Sequence, residues 1–510
     1  MERLEGTDSS FCATGAPKTQ CLCSEKQRFL NLIYNEMHSD SKAPTPHIEL
    51  YDKNSWHTFV QVMHILLTIV PIVFFFAIAR IVGQKLEYRI PPNSSCGYAI
   101  EFLLIVVPTV LIVNVFNNYI GQLMVVFWGS LLGLMYVVYK SKNQRRWYVL
   151  GGHRPIVLTL LRAAINLLTA LCILAVDFES FPKNFRKTRR YGAGLMDVGI
   201  GLFVFAMGTV SKPSKNIAHI TKSLWTVVLL LVLGLGRTLL IMFINYNQDE
   251  HEYGLHLNAF YTLALTKFFG CLFSGIAKNN LRHMIAGVAL LIIHECCLQL
   301  YTSAFVMNPD IERDTFLRAN REGILSLPGF VALYLISIVI GQSLKMQDKA
   351  LRHRVFIDKL RALGIASVVL WVLVVGCIFT VSIARVTCNL GYVTWILALA
   401  VTMAFLFIIV FHLILSTIWP ICDIEEDFES LLNSTVTTSC HENSLPALVK
   451  AVNANGLVFF LLANVLTGAV NIYLEPSVRS DFESICILTV YMFIAISFVY
   501  LLHRLKIRIA

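Results

Sequence analysis

Thirteen apolar runs, each near the length a spanning helix needs, divide this chain and limit what it can fold into. A spanning helix takes about 20 apolar residues. The runs fall near 59–83, 98–116, 119–139, 157–176, 192–210, 223–246, 257–277, 283–306, 325–344, 363–384, 393–418, 456–474 and 483–503. Lipid offers no partner for a backbone N–H or C=O, so such runs must close their own hydrogen bonds as helices. The expected fold is an all-α, polytopic integral membrane protein with about 13 transmembrane helices. Composition agrees. Of the 510 residues, 56% are hydrophobic and only 15% charged, against about 25% charged in a soluble domain. Mean hydropathy is +0.65. The net charge of +10 does not point to nucleic acid, because basic residues of membrane proteins gather in cytoplasmic loops. Membrane lipids are the expected surroundings.

The runs leave room for a single transmembrane domain, 58–505, between a polar tail at 1–57 and a short C-terminus at 506–510. The tail has no apolar core of signal-peptide length, so no cleavable signal is expected. Within it, 25–37 has the spacing of a short surface helix. The segment 419–455 reads as an exposed acidic, Ser/Thr-rich loop. Lys and Arg in short loops set orientation. Those at 140–156 (Lys140, Lys142, Arg145, Arg146, Arg154), at 345–362 (Lys345, Lys349, Arg352, Arg354, Lys359, Arg361) and at the C-terminus (Arg504, Lys506, Arg508) share one side. That side is expected to be cytosolic, which places the N-terminus in the lumen. The sequons at Asn93 and Asn433 then face the cytosol and carry no glycan. One loop breaks the rule. Residues 177–190 are strongly basic yet fall on the luminal side, which suggests a local use for the charge.

That loop reads AVDFESFPKNFRKTRRYGAGLMD. Asp177 ends the fourth run, and an acid at membrane depth is a functional candidate unless it is merely the first interfacial residue. Ten residues on comes Lys187, flanked by Lys183, Arg186, Arg189 and Arg190. The cluster is either a solvated basic loop or an anion site, such as one for a lipid phosphate. An acid and a lysine so placed can share acyl transfer. A carboxylate takes the hydroxyl proton, and an ammonium stabilises developing negative charge. The fifth run carries two glycine rows, Gly194/Gly201/Gly208 and Gly192/Gly199 continued by Ala206, which allow close approach of a helix or a lipid. Asp197 lies among them and needs a partner, with Lys187 or Arg237 as candidates. Arg237 in turn needs a buried acceptor.

Further polar groups gather at run edges on the same side. EYGLHLN supplies Glu252, His256 and Asn258, and NREGILS supplies Asn320, Arg321 and Glu322. Asn464, Thr467 and Asn471 recur at helical spacing in the twelfth run, either as interhelical hydrogen bonds or as site residues. Convergence of several such clusters on one face marks a candidate site. The thirteen Cys include no C-x-x-C pair or zinc spacing. Those in apolar runs (Cys172, Cys271, Cys377, Cys486) read as small core residues, and Cys21 and Cys23 in the tail are too loosely placed to argue. No metal is expected. The absence of P-loop, G-x-G-x-x-G, H-E-x-x-H and G-x-S-x-G patterns removes the usual support for nucleotide-binding and hydrolase readings.

The run ILAVDFESFPKNFRKTRRYGAGLMDVGIGLFVFAMG resembles the central signature of the glucosaminyl-phosphatidylinositol inositol acyltransferases of glycosylphosphatidylinositol (GPI) anchor biosynthesis, the PIG-W family. The matching residues are Asp177, Phe178, Phe181, Pro182, Phe185, Lys187, Tyr191, Gly192, Met196, Asp197, Gly199, Gly201 and Phe203 to Phe205. LGLGR, EYGLHLN, NREGILS and FFLLANVLTGAVN resemble further family segments in the family's order, so the likeness covers roughly 160–475. The resemblance implies thirteen spans in the endoplasmic reticulum membrane. It also implies transfer of an acyl group, usually palmitoyl from palmitoyl-CoA, to the inositol 2-hydroxyl of glucosaminyl-phosphatidylinositol, with acyl-CoA as substrate and no cofactor. It makes Asp177 and Lys187 the essential pair. Asp177 would activate or orient the hydroxyl. Lys187 would hold the thioester oxyanion or a phosphate. Lys183, Arg190, Asp197, Arg237, His256, Asn258, Asn320, Arg321, Glu322, Asn464 and Asn471 are the candidate substrate contacts. The chain departs from the family at Lys183-Asn184 in place of an Arg pair, at Arg189 in place of a common Glu and at Leu257 in place of a common aromatic. A transporter or lipid flippase is the alternative from another class. It predicts inverted repeats, which the two halves do not display. A non-catalytic membrane scaffold is the third reading.

Overall fold

Each expected run becomes a helix in the computed structural model, which describes residues 55–86, 94–140, 147–149, 155–211, 217–244, 250–277, 279–345, 350–418 and 445–509. The tail helix at 25–37, the sequon asparagines Asn93 and Asn433, Cys21, Cys23 and 419–444 lie outside the described residues. The first span runs from Ser55 to Leu86. Within it α1 (Ser55–Ile69) hands over to α2 (Pro71–Leu86) at Pro71, whose missing N–H interrupts the helical ladder. The other α-helices of eight or more residues, in order, are α3 (Ser95–Asn114), α4 (Ile120–Lys140), α5 (Ile156–Ala175), α6 (Val198–Val210), α7 (Ile217–Ile244), α8 (Ala259–Ile276), α9 (Asn280–Cys297), α10 (Leu327–Leu344), α11 (His353–Thr380), α12 (Leu390–Phe407), α13 (Ala447–Ala454), α14 (Gly456–Tyr473) and α15 (Asp481–Arg504). The second and third runs are joined by a single 3-10 turn, Phe116–Tyr119.

Two expectations need correction. Among the described residues, twelve helices rather than thirteen are long and apolar enough to cross a membrane, and the fifth run yields only the shorter Leu195–Val210. Its first residues are taken up by turns, beginning at Gly192 with φ +126°. The segment 419–455 is not exposed throughout. Residues 447–454 form α13, with Leu448, Val449, Ala451 and Val452 wholly buried against α5 and α15.

α12, continued through a π-helical stretch to Ile418, is the most enclosed element and lines the core with Tyr392, Trp395 and Phe407. The short α6 is wedged against it and α10. A Cβ on Gly201 would meet Ile396 at 2.6 Å, and one on Gly208 would meet Ser337 at 2.6 Å. One glycine row therefore serves helix packing. In the other row, Gly199 faces Thr169 at ordinary contact distance. The far end of α6 stops on a buried cation. Lys267 Nζ donates to Ser211 Oγ at 2.6 Å and to Tyr334 OH at 2.9 Å, a placement that suits the negative end of a helix. Rim helices point large apolar groups outward, among them Trp225, Phe243, Val125 and Leu132. Such a surface is stable against lipid rather than water.

Pairings fix which loops share an end. The strands β1 (Trp147–Val149) and β2 (Ala350–Arg352) pair antiparallel with Trp147 opposite Arg352, joining the two basic loops expected on one side. Asn455 binds the backbone of Ile507 and Ile509, so the C-terminus lies beside α13. At the other end, Lys187 meets Glu252, Gly192 N donates to Ile383 O and Asn471 reaches Asp177.

Candidate active site

The loop after α5 is held by its aromatic residues, not by its charges. Phe178, Phe181 and Phe185 are 0–1% exposed. Phe181 and Phe185 meet edge to face at 5.9 Å, and Phe185 lies against His64 at 5.3 Å. Three buried rings in eight residues anchor the backbone strongly. The charged residues between and just after them (Lys183, Arg186, Lys187, Arg189) are then turned outward. The chain turns back through Gly192, and Gly194 allows an approach no side chain permits, since its Cβ would lie 2.0 Å from Arg186 O.

Asp197 ties the loop shut. It is 0% exposed. Its Oδ2 accepts from Gly194 N at 2.9 Å, Thr188 N at 3.1 Å and Thr188 Oγ1 at 2.9 Å. Its Oδ1 lies 2.8 Å from Arg385 Nε. The expectation that Lys187 or Arg237 would be its partner is therefore wrong. Arg385 comes from the turn 381–389, which interrupts the run expected to continue to 384 because Ser382 and Cys388 take positive φ. Arg385 is 4% exposed and lies over the Tyr253 ring. Burial alone would lower its pKa, but Asp197 and its anionic neighbours hold it above the usual arginine value. Tyr392 OH donates to Asp197 O at 2.7 Å and accepts from Gly201 N at 3.1 Å, which locks the start of α6 to α12.

Asp177 is different. It lies just past α5, half-buried, and Asn471 Nδ2 donates to its Oδ2 at 2.9 Å. No protein donor among the described residues reaches Oδ1. Burial pushes the carboxyl above the usual aspartate value, while the Asn471 hydrogen bond and the charges of Lys187 and Arg186 pull it back only in part. Lys187 thus acts on Asp177 through its field, but its direct partner is Glu252. Asp177, Lys187, Glu252 and Asn471 come from three separate parts of the chain: this loop, the turn before α8 and the last turn of α14.

The other candidates divide by what they touch. Lys183 is exposed and Arg190 half-buried on the loop. Arg237 is half-buried in α7 and pairs with no acid among the described residues; its charge reaches the Tyr253 phenol, whose pKa burial pushes up to about 12. His256 Nδ1 lies 3.2 Å from Asn320 Nδ2, and its ring stacks on Phe316. Asn320 Oδ1 accepts from His256 N and Leu257 N. Asn258 caps α8 by accepting from Phe260 N and Tyr261 N, and it donates to Gly234 O. Arg321 is 1% exposed and donates to the carbonyls of Val306, Ile311 and Asn308. Glu322 pairs with Arg313 at 2.7 Å. Asn464 donates to Phe460 O of its own helix. The site residues that sequence reasoning missed are Arg385, Tyr392 and Arg313. A lone arginine between two apolar runs was the available signal for Arg385, by the rule that singled out Asp177.

The model of the GWT1 family matches residues 53–502. GPI-anchored wall transfer protein 1 of Schizosaccharomyces pombe is 30% identical over 427 residues, which cover 80% of this chain and 87% of that protein. Glucosaminyl-phosphatidylinositol-acyltransferase PIGW of Bos taurus is 27% identical over 449 residues, covering 81% and 88%, and that of Homo sapiens is 26% identical over 460, covering 81% and 88%. With the match running through every described span, and through the loop that holds Asp177, Lys187 and Asp197, the chain belongs to the GWT1 family.

Proposed function

We propose that this chain is an O-acyltransferase of GPI-anchor biosynthesis. It moves a fatty acyl chain, palmitoyl from palmitoyl-CoA, onto the inositol 2-hydroxyl of glucosaminyl-phosphatidylinositol. It does so in the endoplasmic reticulum membrane, with its N-terminus luminal and its C-terminus cytosolic. The bovine and human relatives are named glucosaminyl-phosphatidylinositol-acyltransferases. The observation that carries the reading is Asp177: a half-buried carboxyl at a membrane edge, held by one amide, with one oxygen left for substrate. Asp177 takes the hydroxyl proton as the hydroxyl oxygen attacks the thioester carbonyl. The C–O bond forms, the C–S bond breaks, and the thiolate of CoA takes up a proton as it leaves. Lys187 stabilises the oxyanion or a substrate phosphate. At rest its ammonium is paired with Glu252, so the negative charge of the substrate competes with that carboxylate. Lys183, Arg190, Arg237 and His256 are the remaining contacts offered to an anionic headgroup. Asn258, Asn320, Arg321 and Glu322 hold the neighbouring loops in place. Acyl-CoA is a substrate, and the reaction needs no cofactor.

Membranes containing wild type, Asp177→Ala or Lys187→Ala, supplied with labelled acyl-CoA and glucosaminyl-phosphatidylinositol, test this. Wild type should label the lipid, and both variants should fall to background at equal abundance. Wild-type rates in both variants would remove the site. Movement of the lipid across the membrane without acylation would favour the transporter.

A further inference from the structure

Asn471 presents two faces, and only one is occupied. Its Nδ2 donates to Asp177 Oδ2 at 2.9 Å, while its Oδ1 is buried and has no hydrogen-bond partner among the described residues. The orientation of the amide follows from chemistry. An ionised carboxylate only accepts, so Nδ2 must face it and Oδ1 must point away. A buried carbonyl oxygen without a donor is costly and calls for one. Lys187 is held by Glu252, and Asn464, two turns below on α14, donates to Phe460 O. The centre is therefore left with two acceptors, Asp177 Oδ1 and Asn471 Oδ1, on side chains that are themselves joined.

From this arrangement we infer that Asn471 is a specificity-determining residue that accepts a hydrogen bond from the hydroxyl next to the one Asp177 deprotonates. The ligand class this selects is a ring carrying vicinal hydroxyls. The inference rests on the acyl-transfer reading and adds to it how one hydroxyl of a polyol ring is chosen over its neighbours. Asp177 accepts the reacting proton. Asn471 accepts the adjacent one and fixes the rotation of the ring. The same amide also holds the carboxylate in place. Its loss should therefore shift the acid limb of the rate profile toward higher pH, since its hydrogen bond favours the charged form. The other groups that face Asp177 are Lys187 and Arg186 from its own loop and Tyr491 from α15. A change at 471 alters none of them.

The test compares wild type with Asn471→Leu and Asn471→Gln on two acceptors, the natural lipid and an analogue lacking the hydroxyl adjacent to the acylated one. Sites built to bind a hydroxyl discriminate strongly against its absence. Wild type should prefer the natural lipid by at least about 10-fold in kcat/KM, and in Asn471→Leu that ratio should collapse toward one while acyl groups appear on other ring positions. Equal ratios in wild type and Asn471→Leu, with acylation confined to one position, would overturn the inference. Asn471→Gln keeps both the amide donor to Asp177 and an accepting oxygen. If Asn471→Leu does not fold, retention of the preference in Asn471→Gln supports the inference and its loss overturns it. A wild type that acylates neither acceptor would instead refute the acyl-transfer reading.

Discussion

Two aspartates on one loop, twenty residues apart in number, meet opposite fates. Asp197 is wholly buried and filled: three donors on one oxygen and a guanidinium at the other. Asp177 is half-buried, with one donor and one oxygen to spare. Both had the same credentials in the sequence, an acid at the edge of an apolar run. What separates them is remaining hydrogen-bonding capacity. An acid whose acceptors are all filled organises the protein. An acid with capacity left, raised by burial and faced by a cation, is equipped for chemistry.

The sharpest way to break this contrast is to neutralise each acid in turn. Asp177→Asn keeps the shape and should cost about 10²–10⁴-fold in acyl transfer, the range for a positioned base, without lowering thermal stability in detergent. Asp197→Ala should act in the opposite sense. It leaves Arg385 buried and uncompensated, a loss of about 3–5 kcal/mol, read as a fall in the folded, monodisperse fraction. Replacing both partners, as Asp197→Leu with Arg385→Leu, should recover part of that stability because no lone charge remains. If Asp197→Ala folds normally and merely slows the reaction, the division between the two acids fails.

A smaller effect tests the protonation of Asp177. Its folded pKa is raised above the ordinary value of about 3.9. The folded chain therefore holds that proton more tightly than the unfolded one. The resulting stability is fully present below the ordinary value and is lost as pH rises through the folded pKa. Catalysis needs the base form, so activity should rise through the same window in which stability falls. A kcat/KM profile beside thermal denaturation at each pH measures both. An acid limb at the ordinary aspartate value would show that burial does not tune this group.

The same contrast explains what could be read in advance. Run length and apolarity revealed the helices, because the lipid requirement acts on each run separately. The acid–lysine spacing exposed the loop for a similar, local reason. Pairings did not follow. Asp197 is met by Arg385 and Lys187 by Glu252 because distant turns fold over the loop, and no local pattern encodes which turn arrives. α13 escaped because its eight residues are too few to register as a run. The shortness of α6 escaped because Gly192 and its neighbours look like span residues until their backbone is seen to turn.

The smallest expected effect lies on α14, where two asparagines share a face. Asn471 reaches across to Asp177, whereas Asn464 returns its amide to Phe460 O of its own helix. That bond supports no second element, and the helix keeps its backbone ladder without it. Asn464→Leu should therefore change stability by no more than about 0.5 kcal/mol, the scale of substitutions away from special features, and should leave kcat/KM for the lipid within about twofold. Asn471→Leu, seven residues on, should alter both rate and selectivity. The pair forms an internal control, because both changes remove one amide from the same helix in favour of the same apolar side chain. A drop in rate at Asn464 equal to that at Asn471 would mean that substrate runs down the helix past both residues, and the acceptor site would then extend two turns deeper than Asp177.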